Sequence, residues 1–273
     1  MAGVMDPVGS SLWFFPVVFV FGALIGSFLN VCIVRIPKGE SIVRPPSHCF
    51  SCHTPIPFYD NVPLASYLML RGRCRSCGEN FSPRYFFVEL LTAALAVAVF
   101  FRFGPSIAFL SHFAFVAALV VISFIDLDVR IVPDAISLPG IALGLVSSLI
   151  QWPWPADYLT IPPSPLSSFL GILVGGGFLL SVAWTYQFFT GVEGMGGGDV
   201  KLLAMIGAFL GWPSVPLTLF FASLTGSVIG LALMWRAGAG GKYALPFAPF
   251  LCLGAIGHLF FGSAVVQFYL PPG

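Results

Sequence analysis

Charge is what this sequence has least of: 12 Lys and Arg and 11 Asp and Glu make up 8% of its 273 residues. Soluble domains carry roughly 25%, so a water-facing globule is excluded. A net charge of +1 also excludes nucleic-acid affinity driven by an overall basic field. No Lys or Arg precedes the first apolar run, whereas a secretory signal begins with a basic stretch. That run is therefore expected to stay as an uncleaved helix. The glycine-rich tract near residue 196 lacks the Gly-Lys-Ser/Thr sequel of a phosphate-binding loop, and no Gly-x-Gly-x-x-Gly dinucleotide fingerprint occurs.

What is present is apolar: 58% hydrophobic residues, including 29 Phe. A hydrocarbon core about 30 Å thick needs roughly 20 apolar residues per helix. The runs near 12–34, 86–101, 107–125, 135–151, 166–189, 200–211, 215–235 and 246–268 approach that length. The expected fold is an all-α polytopic membrane protein of about eight transmembrane helices, with a small cytoplasmic zinc-knuckle subdomain. Segment 86–101 is short for a span, and 200–211 is too short to cross fully before Gly211-Trp212-Pro213. Small residues four apart, at Gly22/Gly26, Gly140/Gly144, Gly171/Gly175, Gly207/Gly211 and Gly226/Gly230, read as helix-packing seams.

Arg35, Lys38, Arg44, Arg71, Arg73, Arg75 and Arg84 crowd into one polar stretch, 35–84, and cationic loops stay in the cytoplasm. This puts the N-terminus outside and the loops 126–134, 190–200 and 236–245 inside, with Arg130, Lys201, Arg236 and Lys242. The proline-rich Trp152–Pro165 stretch becomes an outer loop.

The same polar stretch holds Cys49-Phe-Ser-Cys52 and Cys74-Arg-Ser-Cys77. Each pair can offer two thiolates to one tetrahedral ion, and disulfides are rare in the cytoplasm, so a structural zinc on Cys49, Cys52, Cys74 and Cys77 is expected. His48 and His53 adjoin the first pair. Cys32 and Cys252, in apolar runs, read as ordinary core residues.

Four of the acids gather at the inner ends of expected spans: Asp126, Asp128 and Asp134 in one stretch, and Asp199 after Gly194-Met-Gly-Gly-Gly. Ionisable groups at membrane depth are costly and mark function. Two carboxylates brought together in a poorly hydrated site hold one proton between them. The ionised member can then take a proton from water while the other polarises a peptide carbonyl. The glycines permit close approach of an extended substrate.

These residues resemble the bacterial type IV prepilin leader peptidases, similar in motif to archaeal preflagellin peptidases and, more distantly, to presenilin-type membrane aspartyl proteases. The likeness runs through Gly26-Ser-Phe-Leu-Asn-Val31 with Arg35-Ile-Pro37, the cysteine pairs, Asn61-Val-Pro-Leu-Ala-Ser-Tyr67, Arg71-Gly-Arg-Cys-Arg-Ser-Cys77, Ser82-Pro-Arg-Tyr85 with Glu89, Ile125-Asp126 to Pro133-Asp134, and Gly194 to Ala204. The resemblance implies catalytic Asp126 and Asp199, with Asp128 and Asp134 accessory. It implies cleavage after glycine of a short basic leader from type IV prepilins or pseudopilins, at the cytoplasmic face of the bacterial inner membrane. It also implies N-methylation of the new terminus from S-adenosylmethionine, with Asn30 and Glu89 as polar contacts near that site. The expected division is 1–34 (first transmembrane helix), 35–85 (tetracysteine subdomain with a methyltransferase role) and 86–273 (peptidase). Expected partners are the pilin precursors and the lipid bilayer, not nucleic acid. A proton-coupled transporter using membrane-edge aspartates, or a zinc-ribbon adaptor without catalysis, are the rival readings.

Overall fold

The computed structural model describes residues 13–151, 163–192, 196–237 and 246–269. Expectations for the extreme N-terminus, most of the Trp152–Pro165 loop, Gly194-Met195, Lys242 and the Arg236 side chain lie outside these residues. Nine helices are described: α1 (Phe14–Arg35), α2 (Ala65–Met69), α3 (Arg84–Phe103), α4 (Ile107–Val129), α5 (Asp134–Gln151), α6 (Pro165–Thr190), α7 (Gly197–Leu210), α8 (Ser214–Ala237) and α9 (Ala248–Tyr269). The described residues contain no sheet, only two isolated bridges. The fold is an all-α membrane protein, with a helix at each of the eight expected apolar runs. Six of these (α1, α3, α4, α5, α6 and α8) are long and apolar enough to cross a bilayer.

Two boundaries differ from the sequence reading. The short segment 86–101 is a 20-residue helix, α3, because Arg84 and Tyr85 at one end and Arg102 and Phe103 at the other continue it. The short segment 200–211 begins earlier, at Gly197, so that Asp199 lies in the first turn of α7.

Packing divides the chain into two units, Met1–Phe109 and Leu110–Gly273. In the first, α1 lies against α3, and glycine makes this possible. A Cβ on Gly22 would sit 2.7 Å from the Ala96 Cβ, and one on Gly26 would sit 2.7 Å from the Glu89 Cα. Between these helices the chain folds the four-cysteine segment, α2 and a short 3-10 turn at Phe58–Asp60.

The second unit is built around α7. Every residue from Leu202 to Leu210 is buried. Gly171 of α6 and Gly207 of α7 meet backbone to backbone, so that a Cβ on either would collide with the other's carbonyl. One turn away, a Cβ on Gly175 would lie 2.6 Å from the Leu203 carbonyl oxygen, and Ser168 donates to the Ala208 carbonyl at 2.7 Å. Gly144 of α5 abuts Ala208, and the rings of Phe115, on α4, and Phe209 stack at 4.5 Å. The pairs Gly22/Gly26, Gly140/Gly144 and Gly171/Gly175, with Gly207, are packing seams, whereas Gly226 only touches the Phe250 ring at ordinary contact distance and Gly211 caps α7; α7 is short and enclosed by protein along Leu202–Leu210.

Candidate functional site: an acidic centre and a four-cysteine knuckle

Asp126 lies in the last turn of α4 and is 5% exposed. Two local features end the helix there. Arg130 takes the left-handed conformation (φ 57°), and its N–H closes on the Asp126 carbonyl at 2.9 Å. The Asp126 carboxylate is oriented from afar: its Oδ2 accepts the backbone N–H of Ala248, the first residue of α9, at 3.1 Å. A helix N-terminus carries unpaired donors and partial positive charge, which suits a carboxylate.

Asp199 reaches the same region through the glycine tract. Gly198 packs on Val132, where a Cβ would lie 2.9 Å from the valine Cβ. This contact seats the start of α7 against the α4–α5 connection. Asp199 is half-buried there. The Gly198–Val132 contact brings the Asp199 end of α7 to the connection that follows Asp126, within electrostatic range of its carboxylate.

The accessory acids are placed differently. Asp134 is exposed and pairs with Lys201 Nζ at 2.6 Å, an α5–α7 tie that holds the two flanks of the centre. Asp128 is exposed beyond the end of the buried face. Sequence reasoning missed one group, the Ala248 N–H; its signal is Pro246, which opens the expected run 246–268 and suits a helix start. Cys252, expected as an ordinary core residue, is 1% exposed and lies one turn on from Ala248.

In the first unit, the Sγ atoms of Cys49, Cys52, Cys74 and Cys77 lie within 4.8 Å of one another. Cys49–Cys77 is 3.7 Å and Cys52–Cys74 is 4.0 Å. Tetrahedral Zn–S bonds of about 2.3 Å place sulfurs roughly 3.8 Å apart, so the donor set fits a metal ion. Each half is the same turn: the His53 N–H bonds to the Cys49 carbonyl and the Gly78 N–H to the Cys74 carbonyl, both at 2.9 Å. His53 (φ 57°) and Gly78 (φ 75°) occupy matching left-handed positions. His53 therefore serves the turn, and His48 bonds to the Pro46 carbonyl; neither belongs to the thiolate cluster. The Thr54 hydroxyl and backbone draw the Cys52 thiol down to about 6, and backbone donors at Cys77 and Ser76 lower Cys74. Cys77 moves the other way: although the Glu79 backbone N–H draws it down, burial and the three neighbouring thiols together push it up to about 12, so the four do not all ionise on their own.

The remaining polar expectations resolve into structure. Asn30 donates to the Tyr85 carbonyl at 3.1 Å. Glu89, 8% exposed, accepts the Leu64 N–H at 2.7 Å and the Ser27 hydroxyl. Arg35 is buried and donates to the Ser41 and Pro45 carbonyls, and Asp60 takes both ends of the Arg75 guanidinium at 2.6 and 2.7 Å. Asp60 and Glu89 are thus both engaged within the protein.

A polytopic helical membrane protein with a buried acidic centre and a tetracysteine knuckle is a narrow class, and the comparisons narrow it further. Residues 20–103 match the Bacterial Peptidase A24 N-terminal domain, and residues 113–231 match the Type IV leader peptidase family. The chain is 36% identical to a protein of Aeromonas hydrophila, over 94% of each chain, named prepilin leader peptidase/N-methyltransferase. Relatives of the same name from Burkholderia pseudomallei (35%, covering 97% of this chain and 89% of theirs) and Pseudomonas aeruginosa (34%, covering 92% and 91%) agree. The chain belongs to the type IV leader peptidase family. No solved structure matches it.

Proposed function

We propose that this protein is a membrane aspartic endopeptidase that removes the basic leader from type IV prepilins or pseudopilins and then methylates the new N-terminus. The observation that carries the peptidase reading is the buried Asp126, oriented by the α9 N-terminus and within electrostatic reach of Asp199, in a chain of this family. Asp126 and Asp199 are the catalytic pair, sharing one proton. The ionised carboxylate takes a proton from water as it attacks the scissile carbonyl, and the protonated one donates to the carbonyl oxygen. Collapse of the tetrahedral intermediate expels the amine, which leaves with a proton from the pair. The distribution of Lys and Arg supports a cytoplasmic active site in the bacterial inner membrane, with the N-terminus outside. There the apolar helix of the precursor stays in the bilayer while its leader reaches the acids.

Zinc is the ion that the tetracysteine geometry suits best, and its role is to fold a segment with little core of its own. S-adenosylmethionine would supply the methyl group for the second activity, which the relatives' names include; we assign that activity to the 35–85 region. Asn30 and Glu89, the polar contacts first considered for it, are engaged at the junction of α1, α2 and α3, and no step is assigned to them.

Processing of a leader-bearing prepilin by membranes holding wild type, Asp126→Asn or Asp199→Asn tests the pair. Both variants, at normal expression, should lose the processed band. Undiminished cleavage by either would move the pair to Asp128 or Asp134. No cleavage by wild type would restore the transporter and adaptor readings.

A further inference from the structure

The helix α2 sits beside a membrane helix rather than above it. Two contacts fix its depth: the Tyr67 ring packs on Phe86 at 5.6 Å between centroids, and the Leu64 N–H bonds to Glu89. Phe86 and Glu89 are the third and sixth residues of α3, so α2 is level with a zone about 3 to 8 Å below the top of that helix at 1.5 Å per residue. A 20-residue helix of this composition spans one hydrocarbon core with little to spare. The zone is therefore the boundary of headgroups and acyl chains.

At this level α2 turns its apolar side chains outward. Leu68 is 63% exposed and Met69 82%. On α3, Phe87, Leu90 and Leu91 are exposed as well, as the lipid-facing side of a membrane helix is. Directly after them come Arg71 and Arg73, both exposed. The backbone that delivers this face is held under constraint. Leu64 adopts φ 60° and ψ −52°, with the Ala65 N–H on the Pro63 carbonyl at 2.6 Å, a strained γ-turn that the Glu89 carboxylate clamps. An apolar pair followed by cations is the pattern of an interfacial segment on an anionic leaflet.

We propose that α2 is an interfacial wedge: Leu68 and Met69 insert into the leaflet from which the knuckle emerges, and Arg71 and Arg73 take the phosphates of anionic lipid headgroups. The knuckle is thereby tethered to the membrane at a third point, besides α1 and α3. The reading does not depend on the peptidase assignment.

The test uses the full chain in nanodiscs of equal phosphatidylglycerol and phosphatidylcholine, with a benzophenone amino acid replacing Leu68, Met69 or, as control, Ser76. Irradiation followed by mass spectrometry should give phospholipid adducts at positions 68 and 69 and none at 76. The adducts should favour phosphatidylglycerol by roughly fivefold for each arginine, from about 1 kcal/mol per cation near an anionic surface. Arg71→Gln with Arg73→Gln should abolish that preference while leaving the adducts. Absence of lipid adducts at 68 and 69, or adducts to protein instead, would overturn the wedge and hand the surface to a protein partner. Equal labelling of the two lipids by the wild-type arginines would overturn the headgroup assignment.

Discussion

The knuckle and the acidic centre solve the same problem, gathering groups that repel one another, by opposite means. The knuckle draws its four thiols from 29 consecutive positions, 49 to 77, and two copies of one turn present them. Its geometry is local, and a bound cation would relieve the repulsion. The acidic centre draws on α4, α7 and α9, whose relevant residues run from Asp126 through Asp199 to Ala248, 122 residues further on. Its geometry exists only when the bundle is complete; a helix terminus faces Asp126, and in the mechanism proposed a shared proton relieves the repulsion. A local site can fail without harming the bundle, whereas a distributed one fails with it.

The sharpest break in this comparison comes from metal loss. Cys74→Ser with Cys77→Ser removes two of four ligands, and structural zinc in small domains contributes on the order of 10 kcal/mol of apparent binding energy. Metal analysis should find the ion gone, and limited proteolysis should open residues 40–80. Prepilin cleavage in the same membranes separates a local knuckle from one that the peptidase needs; retained cleavage is expected. The converse is Gly171→Leu, which drives a side chain into the Gly207 backbone. Overpacking costs about 1–3 kcal/mol or more, so thermal stability and cleavage should both fall while bound zinc persists.

A finer cut is Ala248→Pro. Proline suits the first position of a helix but lacks the N–H, so α9 should survive while Asp126 Oδ2 loses its donor. A hydrogen bond to a charged group contributes about 1.5–3 kcal/mol, which corresponds to a kcat reduced roughly tenfold or more. Unchanged kcat would show that Asp126 is oriented by other contacts.

The smallest expected effect lies in the knuckle. Arg75 beside Asp60 holds that carboxyl below the usual carboxylate range. Its contribution is then present above the unfolded value, near 3.9, and is lost as pH falls through the lowered folded value. Hydrogen exchange at residues 58–60 should be slightly faster in Asp60→Asn than in wild type at neutral pH, and the difference should vanish toward pH 3. A difference that grows in acid would contradict the ion pair's sign.

Legibility followed the same divide. The Cys-x-x-Cys spacing, the apolar runs and the small-residue seams are short-range patterns, and each corresponds to a described feature. The two aspartates stood out because acids are scarce here and because Asp199 follows glycines. What the sequence could not show was three-dimensional adjacency. Pro246 marks a helix start, but nothing near it in sequence says that the Ala248 N–H will meet Asp126. Glu89 read as a ligand-binding acid because its partner is a backbone N–H 25 residues away. Arg35 counted as a topology signal yet is buried among carbonyls.

The burial of α7 on every side also dictates the order in which the protein can be made. A 14-residue helix is about 21 Å long, less than the roughly 30 Å a lone span requires. Its buried stretch from Leu202 to Leu210 needs α5 and α6 in place to receive Gly207 and its neighbours. With Asp126 and Asp199 as the proposed pair, a chain truncated before α7 should cleave no prepilin.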